Sequence, residues 1–439
     1  MKKTENLVIK VALLILLIAV MVAFYFPQIA ISGELKAGQF VKVHFSFYSA
    51  PLDLAEKRIT ESGSNKAPAT QKQIRTTSAS IYMSNLDGLI KIARRKAKAT
   101  GDYFWNLRLA DNLLYRSSIT GAIGDVDEAL ALIEQILQQR PQDGSALLLR
   151  ARVNQSLHAF EEALADLARA QQNGARPEQV ASLRLGIETA LGKDVLDQLT
   201  SKAQRNPGLY SYADLASAYL DRGKFAEADH LYTQAQFLYR DTSPTPLTWL
   251  HVQHGIAYLR YGNLERAHDF FTAAHERFPD YYLALEHLAL TKAVLGRVQE
   301  ALVLLLYQEE RFARSPGFYS VLAFVEDKLG DREAAALADS KARALYDELL
   351  AKHPSAWWQH AAEYFLQRGE IERALELAQK NSELRQDLGS LLLLARAELQ
   401  VNHLDAACIA WRKVLGIGWN APEIPRWQSL FEPCKTQPS

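Results

Sequence analysis

From about Leu86 to about Gly416, apolar residues return every three or four positions with charged and amide side chains between them, which predicts a succession of amphipathic helices. The first quarter of the chain reads differently. LVIKVALLILLIAVMVAFYF, Leu7 to Phe26, is apolar except for Lys10, and about 20 residues at ~1.5 Å each span the ~30 Å hydrocarbon core of a bilayer. FVKVHFSFY, Phe40 to Tyr48, alternates apolar and polar like a strand, with no second such run to pair with it. ESGSNKAPATQKQIRTTSAS, Glu61 to Ser80, is small and polar and reads as a tether. The expected division is an anchor over 1–32, a partly disordered linker over 33–85, a helical array over 86–416 and a capping tail over 417–439.

Within the array, small residues recur at fixed offsets. Ala267, Ala301 and Ala335 stand 34 residues apart. Twelve positions before them are Gly255, Ala289 and Ala323, and five positions before them are Gly262, Gly296 and Gly330. Upstream, Ala228 is preceded by Ala216 and Gly223 at the same offsets; downstream, Ala374 is preceded by Ala362 and Gly369. YGNLERAHDFFTAAHERFP adds Ala274 and Pro279 to the set. The spacing from Ala228 to Ala267, and from Ala335 to Ala374, is 39, which implies extra residues around DTSPT and a longer helix ending near His353.

This pattern resembles the tetratricopeptide repeat, a helix-turn-helix unit of 34 residues, most closely in ASAYLDRGKFAEADHLYTQA from Ala216 and GIAYLRYGNLERAHDFFTAAHERFP from Gly255. The fold class expected is an all-α solenoid of about nine helix pairs, preceded by one transmembrane helix. The physics of the small positions agrees with that name. The eighth and twentieth residues of a unit face each other where two helices cross, so only small side chains let the backbones approach. The glycine ends the first helix in a left-handed conformation, and the proline starts the next element. Weaker units extend the array: Ala151, Ala163, Leu167 and Ala170 fit, as do Gly124, Ala129 and Pro141 around an enlarged SSITGAIG turn. Pro177 to Pro207 is a degenerate pair that keeps Gly192 and loses the packing alanine, and Ala395, Ala407 and Trp411 make a last unit.

Charge changes the picture little, because 50 basic and 50 acidic residues cancel and no global field draws the chain to nucleic acid. Its distribution matters at two places. Lys2 and Lys3 precede the apolar run and Lys10 lies near its start, a bias to the leading side that predicts a cytoplasmic amino terminus and a single-pass inner-membrane protein with a periplasmic solenoid. A cleaved signal peptide is the competing reading; the small-x-small pattern around Ile29 to Gly33 is poor and the apolar run is longer than a usual signal core. KIARRKAKA, Lys91 to Ala99, is a basic helix face, either solvated or set against anionic lipid or an acidic partner. Cys408 and Cys434 are too few for a disulfide scaffold and lack zinc-site spacing. If the tail, with Trp419, Trp427, Leu430 and Phe431, folds over the last pair, the two cysteines are either bridged or a pair of separate thiols.

Candidate chemistry is thin. No phosphate loop, zinc-protease signature or nucleophile elbow occurs, so no enzyme and no cofactor are expected. His251 and His254 lie three apart on one helix, and with His268 and His275 they motivate an alternative, accessory delivery of a metal or cofactor. In the repeat frame the first two pack inside the unit. Recognition is the leading expectation. In the resembled family, positions two, five, nine, twelve and thirteen of first helices face the concave wall, which here implies Tyr210 and Ser217, then Trp249, Val252, Ile256 and Arg260, then Leu283, Glu286 and Leu290, then Phe324. So apolar a wall is covered by a partner peptide, by the returning linker or by tight winding of the superhelix. The family's clamp for a terminal carboxylate is absent, since positions five and nine read Ala213 and Ser217, Val252 and Ile256. The expected function is a membrane-tethered scaffold that captures a membrane-associated protein or peptide for assembly of an envelope complex.

Overall fold

Helical hairpins follow one another along the whole described chain. The computed structural model describes residues 74–312, 315–418 and 424–435. The apolar run Leu7–Phe26, the strand-like run Phe40–Tyr48 and most of the polar linker lie outside these residues. No described helix is long and apolar enough to cross a membrane. A long helix α1 (Ala79–Thr100) comes first, followed by α2 (Tyr103–Thr120) with α3 (Ile123–Gln139), and α4 (Gly144–Ser156) with α5 (Phe160–Gln172). Next are α6 (Pro177–Ala190) with α7 (Leu196–Arg205), and α8 (Leu209–Asp221) with α9 (Phe225–Leu238). The best-marked repeats give α10 (Pro244–Arg260) with α11 (Leu264–Arg277), α12 (Tyr282–Val294) with α13 (Val298–Phe312), and α14 (Pro316–Leu329) with α15 (Arg332–Lys352). The array ends with α16 (Pro354–Gln367) and α17 (Ile371–Leu384), then α18 (Leu388–Gln400) and α19 (Leu404–Gly416). A short α20 (Ile424–Leu430) and a 3-10 turn (Glu432–Lys435) form the tail.

The small residues sit where helices cross. Ala216 and Ala228, Ala267 and Ala274, Ala289 and Ala301, and Ala362 and Ala374 are all fully buried, and Ala323 nearly so. Gly255 is tighter still: a Cβ there would lie 2.6 Å from the Phe271 ring. Gly223, Gly262, Gly296, Gly330 and Gly369 have φ between 68° and 85°, a region that L side chains enter at a cost of roughly 1–2 kcal/mol. Pro279 occupies the turn between α11 and α12, and Pro244, Pro316 and Pro354 open helices at the position where a missing N–H costs nothing. Asp102, Asp143, Ser315, Asp331 and Asp387 each accept a backbone N–H at a helix start.

Two local expectations are corrected. Ala335 is only half-buried, and in its place Ala338 and Ala342 are enclosed. Ala335 and Ala267 are each the fourth residue of their helices, so α15 makes its enclosed small-residue contact one turn later than α11 does. The SSITGAIG turn is not enlarged; α2 runs on to Thr120, and only Gly121 and Ala122 connect it to α3.

The superhelix also closes on itself. In α3, Asp127 accepts from Lys352 and lies 2.7 Å from His353 Nε2, although more than 220 residues separate them. Ser355 Oγ donates to the Leu157 carbonyl at 2.8 Å, and further along the seam Gln386 N–H donates to Leu191 O and Arg385 Nε–H to Ala190 O. Gly192 packs against the backbone of Gln386 and Asp387, and Gly121 against the ring of Tyr282. At the amino-terminal side, Thr77 N–H donates to Thr242 O, and Arg277 donates to Ile74 O and Thr76 Oγ1. One continuous core therefore joins Leu86, Leu109 and Ile119 of the first helices to Ile256, Leu290 and Phe324 of later ones.

The tail covers the apolar end of α18 and α19, with Phe431 stacked on Trp411 at 4.8 Å between ring centroids and Trp427 beside both. Cys434 is bonded to buried Cys408 across 26 residues of chain. Closing a loop of that length restrains the unfolded chain by about 3–4 kcal/mol. Reduction, or Cys434→Ser, is expected to release the tail first; increased proteolysis after Gly418, with α2 to α17 still protected, is the measurement, and an unchanged digestion pattern would contradict it.

Candidate functional site

The ten residues read as a concave wall have two fates. Val252, Ile256, Glu286, Leu290 and Phe324 are buried in the continuous core, Phe324 to 5% and Val252 to 0%. Arg260 pairs with Asp221 at 2.9 Å, while Ser217, Trp249 and Leu283 are half-buried. Tyr210 alone is open, at 55%, with its ring 5.3 Å from that of Trp249. The open trough centred on Trp249, Ile256 and Phe324 is thus not present in the free chain. Tight winding, which brings the amino-terminal helices against the later repeats, encloses it.

The accessible interior lies on the earlier repeats. A cavity of about 1230 Å³ is lined by α2, α4, α6 and α8 on one side and by the starts of α12, α14 and α16 on the other. Its lining residues Ser145, Leu148, Arg152, Gln155 and Ser156 occupy positions two, five, nine, twelve and thirteen of the unit marked by Ala151. The same frame that names buried residues on later units thus falls on the cavity when set on a weaker one, and Tyr210, from the unit marked by Ala216, also lines it. Asp111 and Asp214 were missed because charges on a helix face read as solvated.

The cavity is polar at its wall and mixed in character. Arg152 pairs with Asp111 at 2.7 Å, and Lys202 with Asp214 at 2.9 Å and Ser182 at 3.2 Å. Arg108 is exposed into it, with no ion pair among the described residues. Tyr115 is fixed between the hydroxyls of Tyr82, at 2.7 Å, and Thr245, at 2.5 Å, and burial pushes its phenol well up. At the seam, His158 adopts a left-handed φ of 56° and stacks on Phe160. Burial holds its imidazole down to about 3 and that of His360 to about 4, so both are neutral at ordinary pH. The indole N–H of Trp357 and Nδ1 of His158 are covered and have no partner, which leaves them available only to a ligand or water that enters.

The histidines of WLHVQHG do not gather. His254 is 2.7 Å from Asp229 and stacks between Tyr232 and Tyr258, while His251 is buried and held down to about 3. His268 lies beside Arg297 at 3.4 Å, and burial lowers it and His275. Among the described residues no three metal-ligating side chains converge.

Residues 121–178 and 252–317 match the tetratricopeptide repeat family profile. These two stretches carry tetratricopeptide repeats, and the class that the fold defines is an all-α solenoid of helical hairpins. No curated protein sequence matches it. Among solved structures of similar fold is the APC/C hetero-tetramer Cut9-Hcn1, at 15% identity and a TM-score of 0.44, covering 80% of this chain and 66% of that one. Another is yeast Tom70, at 14% identity and a TM-score of 0.34, covering 81% of this chain and 93% of that one.

Proposed function

We propose that the chain is a non-catalytic, membrane-tethered scaffold that holds an extended segment of a partner protein in the interior cavity during assembly of an envelope complex. The cavity carries the reading: at about 1230 Å³ it exceeds the ~300–1,000 Å³ usual for small-molecule pockets. Leu107, Leu148 and Trp357 offer apolar surface, and Arg108 offers a cation for a carboxylate on the segment. Val252, Ile256, Leu290 and Phe324 serve by packing, keeping the superhelix wound around that space. The tether is Leu7–Phe26, with the amino terminus cytoplasmic and the repeats on the far side. Holding the scaffold at the membrane raises the effective concentration of membrane-bound partners, so moderate affinity suffices.

The test is a photo-crosslinking amino acid placed at Arg108 or Tyr210, inside, or at exposed Asp269, outside, in full-length chain expressed in cells. A discrete adduct from the interior positions alone is expected; equal labelling from Asp269 would overturn the assignment. Alkaline washing tests the tether separately, since full-length chain should stay with the membranes and chain lacking 1–32 should not.

A further inference from the structure

Helix α1 has two apolar faces, and the repeats cover only one. Leu86, Ile90, Ala93 and Ala97 form the buried stripe. On the opposite side Ile81 and Ile92 are exposed at 57% and 44%, and Leu89, between them and the buried stripe, at 48%. At 3.6 residues per turn, Ile81, Ile92 and Ala99 fall within about 20° of one another, with Arg95 and Lys96 flanking them. Lys91 and Lys98 extend the flank. Lys91, Arg95, Lys96 and Lys98 are exposed and have no hydrogen bond or ion pair among the described residues; Arg94 alone is balanced, by Glu128 at 2.7 Å. No acidic residue occurs from Gly88 to Gly101. In a chain of zero formal charge, this is a local excess of one sign beside an apolar strip.

We infer that the outer face of α1 lies on an anionic phospholipid bilayer, with Ile81 and Ile92 at the acyl boundary, Leu89 at its edge, and Lys91, Arg95 and Lys96 against headgroup phosphates. Charge chooses this occupant. A second copy would set the same unpaired cations against each other, and a nucleic acid would leave the isoleucines unused. The inference does not require the amino-terminal tether, because it concerns the face of a helix within the repeat unit.

Both native cysteines are bonded to each other, so Ile92→Cys supplies a single thiol for an environment-sensitive fluorophore. Full-length labelled chain is reconstituted into phosphatidylcholine vesicles with and without phosphatidylglycerol, and quenching by spin-labelled lipid is measured. Strong quenching is expected only in the anionic vesicles. Arg95→Glu, Lys96→Glu and Lys98→Glu together should shift the docked population at least roughly ten-fold toward undocked, as should molar salt. These side chains are exposed, so circular dichroism should be unchanged. Equal quenching in neutral vesicles, equal quenching in the charge-reversed chain, or shielding of the label that grows with protein concentration without vesicles would each overturn the inference. Failure of the tether alone would appear as loss of retention after alkaline washing, with the charge dependence at Ile92 intact.

Discussion

Glu286→Gln combined with Glu363→Gln is expected to raise stability near pH 8 and to leave it nearly unchanged near pH 4. Both carboxyls are enclosed, Glu286 on α12 and Glu363 on α16. Burial pushes Glu286 up to about 7, against the stabilising hydrogen bonds it accepts from Ser315 Oγ at 2.7 Å and from the Phe318 N–H. Glu363 is pushed up to about 8, mainly by burial and despite the charge of Arg396. The buried Tyr346 phenol of α15 feels both. The sign follows from proton counting. Below about pH 4.5 each group is protonated whether the chain is folded or not. As pH rises toward the folded values, the unfolded chain has released protons that the folded chain keeps, so stability falls. At ~1.36 kcal/mol per unit the loss is on the order of 3–5 kcal/mol for each group. Glutamine keeps the shape and an acceptor oxygen without the charge. Thermal melting of both chains from pH 4 to pH 8 reads the effect, and parallel profiles would show that these carboxyls are not the cause.

Gly192→Ala is expected to destabilise far more than Gly296→Ala. Both glycines are left-handed, at φ 78° and 82°, and share a backbone cost of about 1–2 kcal/mol. Only Gly192 has something against it: a Cβ would lie 2.5 Å from the Gln386 carbonyl carbon and 2.7 Å from Asp387 N. Backbone cannot rotate aside as a side chain does, so overpacking adds about 1–3 kcal/mol and separates the loops where Gln386 N–H meets Leu191 O. Faster amide hydrogen exchange at Gln386 and a larger radius of gyration should accompany the lower melting temperature. If the two substitutions cost the same, the seam is not a tight contact in solution.

The repeat frame was legible because its marks are local and steric. Ala267 and Gly255 announce a helix crossing from sequence alone, since only small residues fit at that distance. What the frame does not carry is the small rotation from one hairpin to the next. That rotation decides whether Asp127 meets His353, and it is set by many weak contacts rather than by any one residue. Ile256 and Phe324 therefore read as an exposed apolar wall, with tight winding as the alternative, and the winding is what covers them. Ala335 keeps the offset of the repeat, but the enclosed alanine of α15 is Ala338, one turn later. The cavity was within reach through Ala151, but Arg108 and Arg152 look like any solvated arginine until the opposite side of the ring is in place.

The seam from Asp127 to His353 also limits how such an array can change. An open-ended repeat protein tolerates duplication or loss of a hairpin, because each unit answers only to its neighbours. Here a gained or lost hairpin would swing residues 352–387 past the loops they bond, and the girth would no longer match. Copy number is thus set by closure, in the way the number of staves is set by the hoop of a barrel.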